Sequence, residues 1–430
     1  MRRHFPALLL VAVLATAAPL FLLDTDDEPA AASTAALASA ARQDGDGDGD
    51  GKVRRRPAGS DPTTWQTSDR VIGPSAPERS ARAAARTKVT KRFRYQVAPG
   101  VWAGSFTETW PGREVRYYVV TARYDKPGVG FRLGSPEVVA RTAPTKRMVR
   151  KIPHSVAGVN GDFFDIGDTG AALGVGIDRG RLVNGRRSGW NSGFYFDADG
   201  TPRIGLVPVT IKLPNRTGIP LTNFNSAQVM PNGIGIYTPR WGTTSGYRWT
   251  DGQTENVRMI RVEGGEIVEK RHVFPAGQKF TGRILVARGA RQTAQFDALA
   301  VGDRVRMKWG ATGGLGTGIT GNAIVLKNGK VVATDNRELH PRTAVGIDRK
   351  RHRIILLVVE GRQEFSDGYT MVEIARRLKK MGARAGLNLD GGGSSTMVSL
   401  RDGRNRVLNS PSDGHQRSVA NALVVTYQEP

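Results

Sequence analysis

The sequence predicts an α+β fold: strand-rich mixed sheets with few helices, gathered into one large domain. Three observations lead there. From Val115 onward, short β-type runs recur to the end of the chain, split by Gly and Pro turns. Convincing helical spacing is confined to Met371–Met381 and Ala290–Leu299, with Thr145–Lys151 a weaker third segment. No fixed-period repeat is visible.

Residues 1–23 carry Arg2 and Arg3 ahead of an apolar run from Ala7 to Leu23, the form of a signal peptide or N-terminal anchor. Secretion or attachment to the cell envelope is therefore expected, with membrane contact only through that anchor. Residues 24–90 read as a disordered low-complexity linker. The Asp-Gly run Asp44–Gly51 lacks the Glu that an EF-hand loop needs at its twelfth position, and Pro, Ser, Arg and Ala follow without apolar periodicity. Residues 91–150 are predicted as a strand-rich elaboration, and 151–428 as the main domain. The chain has no cysteine, which excludes disulfides, zinc–thiolate sites and a thiol nucleophile. With 63 Lys and Arg against 39 Asp and Glu, the net charge is +24, which favours an anionic partner. Nucleic acid is not expected, because neither a recognition helix nor an aromatic-interleaved basic motif accompanies the charge.

Four stretches carry chemistry. In Val156–Asp165 a strand runs into Asn160-Gly161-Asp162-Phe163-Phe164. One reading is a turn with both rings in the core; the other puts Asn160 and Asp162 at a site. Gly316–Gly321 spells the dinucleotide fingerprint, but a hairpin follows it instead of the helix that pyrophosphate needs, so a nicotinamide cofactor is not expected. Arg342 stands just ahead of a strand, where its planar fork could anchor a phosphate or carboxylate or make a surface ion pair.

The fourth stretch is strand, helix, strand and glycine loop. Arg353–Glu360 is an apolar run, and Thr370 with Glu373 fits a capping box opening the helix that Gly382 stops. The next strand alternates with period two and delivers Asn388 and Asp390 on one face into Gly391-Gly392-Gly393-Ser394-Ser395. The backbone N–H groups of such a loop can hold an anion, aided by Ser394 and Ser395; a tight turn with Asp390 capping its own backbone is the alternative. Further on, Asp413, His415 and Arg417 sit together in a loop before the last strand. No histidine pair has metal spacing and Ser394 is not in a nucleophile elbow, so zincin and serine-hydrolase chemistry are not expected.

Taken together, Asn160-Gly161-x-Phe163-Phe164, Arg342-Thr343-Ala344-Val345-Gly346, the Glu373 helix, Asn388–Thr396 and Pro411-Ser412-Asp413 with Arg417 resemble the phosphodiester glycosidase family over roughly residues 150–428. Asp162 departs from it, standing where many members have glycine. The resemblance implies a hydrolase that cuts the sugar C1–O bond of a sugar-1-phosphodiester, with a sugar-phosphate or anionic glycan as substrate. It implies Asp390 as the carboxylate at C1, with Asp413 or Glu373 as the second. Asn160, Gly161, Asp162, Arg342, Thr343, Asn388, Gly391, Gly392, Ser394, Ser395 and Arg417 would bind substrate. No cofactor is implied and no motif supports a divalent cation. Two other functions fit the composition: a non-catalytic binder of anionic wall polymer, and a metal-dependent phosphodiesterase built on Asp390, Asp162 and Asp413.

Overall fold

The computed structural model describes residues 54–56, 65–77, 87–186 and 188–430. The expected signal or anchor (1–23) and the Asp-Gly run lie outside these. The described residues belong to one packing unit.

Two antiparallel sheets position the site. The larger runs in the order Lys88–Ala98, Val101–Trp110, Arg113–Arg123, Arg353–Val359, Arg342–Asp348, Ala385–Leu389, Ala323–Lys327, Lys330–Val331. The smaller runs Arg404–Val407, Met397–Arg401, Ser155–Asn160, Ala422–Tyr427, Val129–Gly134. A third sheet of ten strands, spanning Gly176 to Thr320, builds out the side. The first three strands of the larger sheet come from residues 88–123, and the third, Arg113–Arg123, pairs directly with Arg353–Val359. The segment 91–150 is therefore woven into the main domain, where the sequence suggested an elaboration on it.

The continuous apolar run at Ile354–Val359 reflects burial on both faces. Ile354, Leu356 and Val358 join Val345, Leu387 and Leu389 in a core shared with Val159, Met397 and Leu423 of the smaller sheet. Ile355, Leu357 and Val359 pack instead under Ile374, Ala375 and Leu378 of the helix Met371–Lys380. At about 25 cal/mol per Å2 of apolar surface removed from water, such sandwiched side chains dominate the stability of the sheet.

Three helices are present among the described residues: α1 (Thr145–Lys151), α2 (Ala290–Asp297) and α3 (Met371–Lys380). All lie where helical spacing places them. The α3 capping box forms as expected, with the Thr370 side chain accepting from the Glu373 N–H and the Glu373 carboxylate accepting from the Thr370 N–H. The fingerprint-like glycines lead into the hairpin Ala323–Lys327/Lys330–Val331. Gly321 lies against the backbone of the site strand: a Cβ there would fall 2.0 Å from the Asn388 carbonyl oxygen.

Candidate functional site

The site forms where strands of the two sheets end side by side. Ala385–Leu389 delivers Asp390, and Ser155–Asn160 delivers Gly161. The Asp390 N–H donates to the Gly161 carbonyl at 2.9 Å, and the Asn160 amide donates to the Asp390 carbonyl at 2.7 Å. The Asn160 side-chain oxygen accepts from the Thr343 hydroxyl at 2.7 Å and from the Thr396 N–H at 3.0 Å. Asn160 and Thr343 thus stitch three segments together behind Asp390. Gly161 is required by close approach, since a Cβ would sit 2.2 Å from Asn421 Oδ1.

Asp162 is buried with its carboxylate fully engaged. It accepts from Trp190 Nε1 at 3.0 Å, Thr320 Oγ1 at 2.6 Å and the Gly174 N–H at 2.9 Å. Burial pushes its carboxyl up to about 6 against the pull of those hydrogen bonds. It pins the turn to its neighbours, while Phe163 and Phe164 are both core residues. Both readings of this stretch are therefore partly realised: the rings fill the core, and the turn braces the site from behind.

Asp390 is completely buried. Its Oδ1 accepts from the Gly391 N–H and from the Ser68 N–H, each at 2.9 Å. Its Oδ2 makes no well-formed hydrogen bond, although the Ser394 side chain lies near enough to favour the ionised form. Burial raises its carboxyl to about 7, with the Ser394 and Ser68 groups and the Arg417 charge opposing. Buried polar atoms without partners collect in this block: Asn388 Oδ1 and the hydroxyls of Ser394, Ser395 and Thr396 accompany Asp390 Oδ2. Buried polar groups are ordinarily satisfied, so such a cluster marks a place built to meet a polar ligand.

Of the two readings of the glycine loop, the hydrogen bonds match the tight turn with Asp390 capping its own backbone rather than the anion nest. The Gly391 N–H goes to Asp390, the Gly392 N–H to the Pro341 carbonyl, and the Ser394 and Ser395 N–H groups close a 3-10 turn onto Gly391 and Gly392. Its glycines serve close approach instead. A Cβ on Gly393 would fall 2.1 Å from both Asp413 carboxylate oxygens and 2.3 Å from Arg417 Nη2. Arg417 in turn holds Asp413, with Nη2 2.7 Å from Oδ2. The structure thus brings Asp390, Asp413 and Arg417 together with the glycine loop, while His415 is exposed.

Arg342 is fully buried, and burial lowers its guanidinium to about 9. It donates to the Tyr369 carbonyl at 2.9 Å, the Gln66 carbonyl at 3.2 Å and the Glu338 carbonyl at 3.3 Å, and to the Gln66 side chain. It is an anchor, as its fork suggests, but what it holds here is three backbone carbonyls and one amide side chain. Asn388 links to Asn322 at 2.8 Å, and Asn322 to the Trp65 carbonyl at 2.9 Å.

Those partners expose the largest departure from the sequence reading. Residues 65–77, assigned there to the linker, lie across the site as a strap. Gln66, Thr67, Ser68 and Asp69 are all buried. Ser68 caps Asp390, and its hydroxyl accepts from the Phe164 N–H at 3.1 Å. The Asp69 carboxylate meets Arg362 Nη1 and Arg417 Nη1, each at 3.0 Å. Burial opposes its ionisation, but the two guanidinium groups outweigh that and hold its carboxyl below the usual range. Further along, Pro74 and Ala76 pair with Leu339 and Arg337. Asp69 and Arg362 both escaped the sequence reading. The only signal for the strap was a small polar island, Gln-Thr-Ser-Asp, following a tryptophan.

Glu373, the other candidate for second carboxylate, pairs with Arg113 at 2.8 Å in a buried bridge besides capping α3. Its established contacts are structural. Glu373→Gln is expected to cost about 3 kcal/mol, typical of breaking a buried pair from one side, and to leave kcat within about twofold. A large fall in kcat at unchanged KM would restore its catalytic reading. Among the described residues, no group of three or more His, Cys, Asp or Glu is placed to hold a metal ion.

Comparison with known proteins fits this arrangement. Residues 255–426 match the family model described as phosphodiester glycosidase, an enzyme family and the one the motifs resemble. The strap and the Asn160–Phe164 turn lie outside the matched part. An uncharacterized SPbeta prophage-derived protein, YomE of Bacillus subtilis strain 168, is 31% identical over 90 residues, which is 21% of this chain and 13% of that protein. Two crystal structures share the fold. One is a hypothetical protein from Synechocystis, with TM-score 0.63 and 22% identity, covering 79% of this chain and 64% of the other. The second is a protein of Burkholderia pseudomallei K96243, described as exported, with TM-score 0.60 and 18% identity, covering 83% and 98%.

Proposed function

Starting from a chain whose residues 255–426 match the phosphodiester glycosidases, we propose that this protein is an exported hydrolase acting on a sugar-1-phosphodiester, of N-acetylglucosamine type, in envelope or extracellular glycans. The observation that carries the reading is Asp390, a buried carboxylate with one oxygen unpaired, set among unpartnered hydroxyls and within reach of the Arg417 charge. The C1–O bond breaks with its electron pair going to the phosphate oxygen, and water supplies the new hydroxyl on C1. A phosphate leaving group has low basicity, so its departure needs charge neutralisation more than a strong acid, and a nearby guanidinium supplies that. The developing oxocarbenium ion is met by Asp390, with Asp413 as the second carboxylate. The unpartnered Ser394, Ser395 and Thr396 hydroxyls suit sugar hydroxyl groups. No step calls for a cofactor, and activity should survive chelation. Export is read from residues 1–23 and fits the description of the Burkholderia protein.

The test offers an α-N-acetylglucosaminyl-1-phosphodiester, and separately a teichoic-type polymer, to folded wild-type and Asp69→Ala protein in oxygen-18 water. Free sugar carrying the label is the expected result. Label in the phosphate would make the protein a phosphodiesterase, and no release from either variant would end the glycosidase reading.

A further inference from the structure

We infer that the open face of the outer strands carries a second, non-catalytic binding site, and that its ligand is an anionic sugar-phosphate polymer. The inference rests on the proposed function for the sugar-phosphate character of that polymer, and on geometry and charge for the site itself.

Helix α3 covers only part of the larger sheet. Its apolar side packs on Ile355, Leu357 and Val359, and its end meets the start of that strand, where Arg353 donates to the Met381 carbonyl at 2.7 Å. Beyond that strand, on the same side of the sheet, the three outer strands leave a groove of about 340 Å3 open to solvent. Alternate positions of Val101–Trp110 line it, namely Trp102, Gly104 and Phe106, with Lys91 and Arg94 of the edge strand beside them. A second hollow of about 420 Å3 shares Arg94, Trp102 and Arg353 with the groove and runs on to Arg123, Lys350 and Arg351.

The lining states what fits. Trp102 is 37% exposed, the one aromatic among the exposed large apolar side chains of the described residues, and the Arg94 guanidinium stands 4.6 Å from its ring centroid. An indole that faces water offers its flat apolar surface to the C–H face of a sugar ring. Among the described residues, no carboxylate lines either hollow. Asp125 holds Arg123 at 2.6 Å, and Asp348 holds Arg351 at 3.1 Å and Arg353 at 2.9 Å. Lys91, Arg94 and Lys350 have no carboxylate partner among the described residues and remain to meet phosphates. A neutral glycan gains nothing from these cations. Single-stranded nucleic acid binds on successive stacking platforms, where this groove has a single exposed indole.

The groove lies away from the catalytic centre. Arg353 and Val359 end one strand, roughly 20 Å apart at about 3.4 Å per residue, and Arg342 pairs at the Val359 end. A polymer spans that distance and a small diester does not. Holding the polymer at the groove therefore raises its local concentration at Asp390 and leaves small diesters unaffected.

The test takes the full chain and a teichoic-type polymer, with binding read by calorimetry. Trp102→Ala combined with Arg94→Gln should weaken polymer binding by roughly tenfold, and Lys350→Glu, on an exposed side chain, by about threefold. Melting curves report that both variants fold, and sugar release from a small sugar-1-phosphodiester should stay near the wild-type rate in both. Polymer binding unchanged in both variants overturns the inference. So does tighter binding of single-stranded DNA than of polymer at equal charge, which makes the groove a nucleic-acid site. An equal loss of small-diester turnover overturns it too, because the groove is then structural. If wild type releases no sugar while the variants still lose polymer binding, the proposed function falls and this site stands.

Discussion

Asp390→Asn is expected to abolish hydrolysis and at the same time to make the folded chain more stable at pH 8. A carboxylate that meets the reacting carbon contributes roughly a thousandfold to rate, and an amide can neither attack nor accept the proton. The stability gain comes from what burial does to the carboxyl, raising it from 3.8 to about 7. A group with a raised folded-state value stabilises the fold fully below its unfolded value, near 4, and that contribution is lost as pH climbs through 7. The loss is on the order of 4 kcal/mol, at 1.36 kcal/mol per pH unit, and the neutral amide escapes it. The stability difference between variant and wild type should therefore be small at pH 4 and open between pH 4 and 7. Urea unfolding at pH 4 and pH 8, with kcat/KM on the same preparations, checks both halves. A difference that does not change with pH would show that burial does not raise the Asp390 carboxyl, and retained turnover would remove it from the chemistry.

Asp69→Ala should do the opposite: activity rises and stability falls. Truncating one partner of a buried, hydrogen-bonded charge pair typically costs about 2–5 kcal/mol, so the strap loosens by roughly 30-fold or more. If the closed form dominates, apparent affinity improves as the open fraction grows. We expect kcat/KM to increase by roughly 30-fold, mainly through KM. Arg362 and Arg417 lose a common partner, and the melting temperature should drop with the roughly 3 kcal/mol typical of a broken buried pair. Wild-type protein should consequently look sluggish on small substrates. A folded Asp69→Ala protein with unchanged or lower activity would mean that the strap braces the site without obstructing it.

The site was legible from the sequence wherever local pattern and chemistry coincide. Period-two alternation put Asn388 and Asp390 at a strand end, the capping box fixed α3, and the apolar run at 354–359 announced a strand buried on both faces. The Asp413/Arg417 pairing followed from their nearness in one loop. What escaped depends on distant contacts without periodicity. The strap has no apolar rhythm, and it is ordered by a carboxylate, a few amide groups and partners more than 250 residues away in sequence. Arg362 belongs to no pattern and gains its meaning only from His340 and Asp69. The choice between anion nest and tight turn stayed open in the sequence because glycine permits both exposed amides and close approach, and only the Gly392 and Ser394 hydrogen bonds decide between them.

The strap belongs to the chain it closes, and that changes how the site can be opened. An internal ligand acts at an effective concentration in the millimolar range for a short flexible tether, and dilution does not lower it. A soluble diester at micromolar levels competes poorly against such a neighbour. Any occupant of the site must therefore displace a neighbour that travels with it, whatever the protein concentration.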